Sequence, residues 1–216
     1  MADDSGMTEL DLLVGSMFTT DPEEDREAYE DEREWLADIQ DLLREEGVEV
    51  DLLSRPGAEV WEGGIERFSD LYTLRLIAAS LENERDIAEL IQHGVEIDAE
   101  PDPLLAAIWE GSAQTRYPHL INHQAEGGYY LPTDFAEPIW VEFDDGDAEE
   151  EDDDDEVLES VISFGSSVGL QRELVELDGL LRAANVAADS AVYRCLTVLR
   201  TAADQSVAND LPIIVW

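Results

Sequence analysis

Lysine is absent from this chain of 216 residues, and all 12 of its basic residues are arginines. Cysteine is nearly absent too. Cys195 stands alone, which excludes an internal disulfide and a cysteine metal framework and fits a reducing cytoplasm. Long apolar runs are missing, since none approaches the roughly 18 residues that span a bilayer. The opening Met1-Ala2-Asp3-Asp4 is acidic where a secretory signal is basic. P-loop and dinucleotide fingerprints are lacking. With positive charge this sparse and scattered no basic patch forms, so the sequence argues against binding to nucleic acid.

What the chain has in excess is carboxylate: 54 Asp and Glu, for a net charge of −42. The segment Glu142–Glu156 alone holds 12 acidic residues and no base. Setting it aside leaves 42 acidic residues against the 12 arginines, still −30, so the acidity is spread over the chain. Composition weighs a local nucleic-acid mimic for a basic partner against a surface adapted to molar salt, and favours the salt-adapted surface. A hydrophobic fraction of 44% rules out a wholly disordered chain, and the length suits one domain with a real core.

The apolar spacing predicts a helix from Asp21-Pro22 to Gly47, with Leu36, Ile39 and Leu43 on its inner face. Short strands are expected at 10–14, 48–52, 139–143, 157–164 and 211–216. Further helices are expected over 65–81, 84–92, 103–110, 170–184 and 190–206. The 65–81 helix is apolar around most of its circumference and is therefore expected at the centre. The apolar chain end must pair inside a sheet, since it is otherwise a sticky edge. The fold class is α+β: a single helix-rich domain with a small mixed sheet and a disordered acidic surface loop at about 144–156.

Gly165-Ser166-Ser167-Val168-Gly169 matches G-x-S-x-G between an expected strand and an expected helix, the setting of a nucleophile elbow. Hydrolases of that type place their histidine after the serine, whereas His93, His119 and His123 all precede it. Helix capping by Ser166 or Ser167 is therefore the favoured reading, with anion binding at the helix start as an intermediate one. His119 and His123 are four apart and share a face if helical, with Glu126 and Asp134 near in sequence. Leu120 occupies the place of the glutamate of H-E-x-x-H, which excludes that metalloprotease motif. The acidic run fails the EF-hand template, because aligning Gly146 puts Val141 and Phe143 at liganding positions. Cys195 lies in a helical pattern and reads as a core thiol.

The segments Leu13-Val14-Gly15-Ser16, Phe68-Ser69-Asp70-Leu71-Tyr72-Thr73-Leu74-Arg75, His119-Leu120-Ile121-Asn122-His123, Gly128-Tyr129-Tyr130-Leu131-Pro132-Thr133-Asp134-Phe135 and Gly165-Ser166-Ser167 with Leu170, Glu173 and Leu174 carry a resemblance. In this order they resemble an uncharacterised family of bacterial and archaeal proteins, from end to end, here in a haloarchaeal-type acidic version. Gln124 and Ala125 stand where that family tends to carry Ser-Asp or Cys-Asp, and the acidic insertion is foreign to it. The resemblance implies a single domain and no catalytic assignment.

The sequence alone thus suggests a soluble, cytoplasmic protein of an extreme halophile, a non-catalytic binding or interaction module. The alternative is a hydrolase or metal-dependent enzyme using the His119, His123 and Ser167 region. The expected binding site gathers His119, His123, Glu126, Tyr129, Tyr130 and Asp134 against Ser166, Ser167 and Arg75. No catalytic residue, metal or cofactor is assigned. The expected partners are an unidentified protein and solvent cations, with no nucleic acid and no membrane.

Overall fold

A computed structural model describes residues 9–95, 101–124, 126–143 and 160–216. The acidic loop expected at 144–156 lies outside the described residues. The elements run β1 (Leu10–Gly15), α1 (Arg26–Glu45), β2 (Glu59–Ile65), α2 (Phe68–Glu82), α3 (Ala88–His93), α4 (Pro103–Trp109) and α5 (Pro118–Ile121). They continue with β3 (Tyr129–Leu131), β4 (Ile139–Phe143), β5 (Ser160–Ser166), α6 (Ser167–Ala183), α7 (Ala191–Asn209) and β6 (Ile213–Val215).

The strands form one six-stranded sheet in the order β2-β1-β6-β3-β5-β4. β3 and β5 run parallel, and the other neighbours are antiparallel. The fold is α+β with a mixed sheet, as the sequence led us to expect. The chain end lies inside that sheet, with β6 paired between β1 and β3.

Strand alternation sends side chains to two separate cores. Leu10, Leu12, Val14, Tyr130, Ile213 and Val215 face α2, α6 and α7, in a core that takes in Leu74, Ile77, Leu174 and Leu199. Leu131, Val141 and Phe164 face the other way, onto α1. There Leu36, Ile39 and Leu43 are fully buried, each stabilising the layer by about 1.5–3 kcal/mol. The sheet is therefore sandwiched, with several helices on one face and α1 on the other.

Several boundaries differ from the sequence reading. α1 starts at Asp25, whose carboxylate accepts the Glu27 and Ala28 N–H groups (both 3.1 Å), while Asp21 caps a separate turn through Glu23 N–H (2.8 Å). Residues 48–52 form no strand: Val48 and Leu52 are buried against α1 from an irregular segment. The strand comes later, at β2, so Ile65 ends a strand and the central helix begins at Phe68. The helix expected at 84–92 shortens to α3. The start of the strand expected from 157 lies outside the described residues. No helix among the described residues is long and apolar enough to cross a membrane.

Candidate functional site

Most of the residues expected to form a site do meet, in a buried network of structural hydrogen bonds. α5 is a single turn, and His123 lies beyond its C-cap Asn122, so the two histidines do not share a helical face. His119 is buried and fully bonded: its Nδ1 accepts the Ser166 N–H (3.1 Å) and its Nε2–H donates to the Phe135 carbonyl (2.9 Å). His123 is also buried, donates from Nε2 to the Tyr129 carbonyl (2.9 Å), and stacks on Tyr130 at 3.8 Å between ring centroids. Burial pushes the His123 imidazole down to about 3 and lowers His119 as well, so both are neutral.

Arg75 ties this segment to the central helix. Its guanidinium donates to the carbonyls of Leu120 and His123 (both 2.7 Å), and burial lowers its pKa. The Tyr130 hydroxyl donates to the His119 carbonyl (3.1 Å). Glu173 of α6 accepts the N–H groups of His119 (3.0 Å) and Leu120 (2.8 Å) at the start of α5. Burial outweighs those two bonds and raises the Glu173 carboxyl to about 8.

The G-x-S-x-G pattern resolves as a helix cap. The Ser166 hydroxyl accepts the Gly169 N–H (2.9 Å) and donates to the Thr133 carbonyl (2.7 Å). Ser167 is buried and its hydroxyl is bonded to that of Ser206 on α7 (2.7 Å). The glycines make room for rings: a Cβ on Gly165 meets Tyr130 at 2.5 Å, and one on Gly169 meets His119 at 2.2 Å. Neither serine is positioned as a nucleophile, because each hydroxyl is spent on structure. Cys195 is buried and its thiol is pushed up by burial. Among the described residues no group of His, Cys, Asp and Glu is arranged to hold a metal ion.

Three of the expected site residues stand apart. Glu126 is exposed, and Tyr129 stacks on Phe164 in the other core. Asp134 makes a two-pronged ion pair with Arg172 (2.7 and 2.8 Å), which lowers its pKa.

The surface feature that sequence reading missed lies on α1. Opposite the buried Leu36, Ile39 and Leu43, the exposed residues Glu27, Asp31, Glu34, Asp38, Asp41 and Glu45 alternate at steps of four and three. At 3.6 residues per turn such steps keep all six on one narrow seam, about 27 Å long. Its mean axial spacing of about 5.4 Å per carboxylate compares with about 3.4 Å per phosphate along one DNA strand. Exposed Glu23 and Glu24 precede the helix, and exposed Glu46 and Glu49 follow it. Positive charge offsets it at one position, Asp41. Nine arginines are each ion-paired with a carboxylate, and on α1 Arg26 bonds Glu30 (3.0 Å) and Arg44 bonds Asp41. The spacing is visible in the sequence as the polar counterpart of the apolar face that marks the helix.

The family model described as "Putative DNA-mimic protein" matches residues 8–215. No curated protein and no solved structure matches the chain. The family match overturns the functional expectation of a halophile's interaction module, or else a hydrolase or metal-dependent enzyme using the His119, His123 and Ser167 region. It likewise corrects the partner expectation, which set nucleic acid aside: in a DNA-mimic family nucleic acid enters as the thing imitated. Spanning nearly its whole length, the match places this chain in the family that carries that description.

Proposed function

We propose that the protein is a non-enzymatic DNA mimic that occupies the DNA-binding face of a basic protein and so keeps DNA off it. The observation that carries this reading is the seam of six exposed carboxylates on α1. A protein that binds DNA gains most of its non-specific affinity from Lys and Arg set against regularly spaced phosphates. A rigid row of carboxylates on a helix offers the same partner a similar row of charge. Helical spacing fixes that row, with Asp41 alone also tied to Arg44, because the opposite face is anchored on the sheet. The remaining net charge adds long-range steering toward a positive surface. Such a protein works where its target works, and we assign it to the cytoplasm, with the single buried thiol in keeping.

The test uses the full chain immobilised and exposed to nuclease-treated lysate of its own cells. Retained proteins are expected to be DNA-binding proteins that excess duplex DNA elutes. Replacing Asp31, Glu34, Asp38 and Asp41 together by their amides is expected to abolish that retention. Retained proteins that ignore duplex DNA, or retention unchanged by the four amides, would overturn the reading.

A further inference from the structure

β4 is an edge strand of the sheet. Trp140, on that edge strand, is 51% exposed, and across from it Trp109 of α4 is 41% exposed. Large aromatic surface left open on a monomer marks a recognition site more often than an accident. The Trp109 indole is not loose, since its N–H donates to the Ile121 carbonyl (2.9 Å). Between the two rings lies a cavity of about 430 Å³, lined also by Phe68, Arg75 and the run Asn122-His123-Gln124.

That run is unusual. Asn122 Oδ1, His123 Nδ1 and Gln124 Oε1 are buried atoms with no hydrogen-bond partner. All three are acceptors, because His123 carries its proton on Nε2, toward the Tyr129 carbonyl. Buried acceptors without donors are costly, and three on consecutive residues beside one cavity point to a ligand that donates. The terminal amide torsions of Asn and Gln are soft, so both oxygens turn toward an incoming donor at small cost.

Two further facts select a cation among donors. Indole faces attract cations, and a chain of charge −42 concentrates them. Arg75 opposes this with one positive charge, but its guanidinium is already directed at the Leu120 and His123 carbonyls. A planar, weakly hydrated guanidinium suits the site better than a compact ammonium, since it stacks on tryptophan and presents five donors.

We propose that this cavity receives an arginine side chain of the DNA-binding partner, stacked between Trp109 and Trp140 and bonded to Asn122, His123 and Gln124. The assignment rests on the DNA-mimic reading for its partner, and on the cavity alone for its chemistry. The probe is Nα-acetyl-arginine methylamide, titrated into the ¹⁵N-labelled full chain at fixed ionic strength while its five indole N–H signals are followed. The Trp109 and Trp140 signals should shift saturably, and those of Trp35, Trp61 and Trp216 should stay. Trp140→Ala and, separately, Gln124→Leu should each weaken the effect by about tenfold. Uniform, unsaturable shifts of all five indoles mean diffuse cation condensation and overturn the proposal, as does silence at Trp109 and Trp140. Equal shifts with the lysine analogue overturn the choice of arginine. Both variants keep the α1 seam, so DNA-sensitive retention of the partner is scored separately from the arginine site.

Discussion

The imidazole of His119 lies so close over Gly169 in α6 that a methyl group on that glycine meets the ring at 2.2 Å. In an open helix Gly→Ala gains about 1 kcal/mol. Here the gain is outweighed, because the ring is held by Ser166 on one side and Phe135 on the other and cannot retreat. Overpacking of this kind costs about 1–3 kcal/mol. Gly169→Ala is therefore expected to lower the urea midpoint, and a stabilised variant would show the ring to be free to move.

Ser166 and Ser167 separate by what each bonds. Ser166→Ala removes both the helix cap and the bond to Thr133, and is expected to cost about 1–2 kcal/mol in equilibrium unfolding. Ser167→Ala loses only the bond to Ser206, whose hydroxyl also bonds the Leu211 carbonyl (2.6 Å). Its cost should be the smaller of the two, about 1 kcal/mol or less. The reverse order would contradict the capping role.

Stability should respond to pH in two windows. The His123 imidazole protonates near 6.5 when unfolded but only near 3 when folded. Between those values the unfolded chain holds more protons, so stability falls as pH falls below 6.5. Glu173 acts in the opposite sense: its folded value of about 8 against 4.5 makes stability fall as pH rises between them. From 6.5 to 8 only the Glu173 effect remains of the two. Denaturation midpoints should decline across that interval in the wild type and stay level in Glu173→Gln. A level wild-type profile would show Glu173 to be ionised in the fold.

Salt should move folding and binding in opposite directions. Raising salt toward 1 M shortens the Debye length from about 10 Å at 0.1 M to about 3 Å. The self-repulsion of a chain at −42 then fades, and Tm rises. The same screening weakens the row of carboxylates on α1 against a basic partner. Calorimetric melting and partner retention, measured over one KCl series, should cross in this way. Parallel trends would separate the partner interface from the seam.

Where one property dominates a segment, the sequence was readable. α1 showed itself by its apolar face, the core helix α2 by apolar residues all round, and β6 by an apolar chain end that needs neighbours. What escaped is what depends on surroundings. Val48, Val50 and Leu52 alternate like a strand, yet Val48 and Leu52 are buried from an irregular segment because α1 and the sheet supply the covering. β2 hid behind Gly63 and Gly64, and behind its position at the sheet edge, where little of it is buried. The two histidines looked like a helical pair until the helix proved to be one turn long. Function was missed for a related reason. Subtracting the acidic run shows that charge is widespread, but a sum carries no geometry, and the seam on α1 is a matter of arrangement.

The sheet's two unequal faces bear on how such a protein can change over generations. One helix holds the six carboxylates of the seam, and among the described residues it packs on the core through its inner side. Substitutions along the outer side alter the spacing and sign of the charges while leaving Leu36, Ile39 and Leu43 in place. A lineage can therefore follow a drifting target by editing a few solvent-facing codons, with folding left untouched.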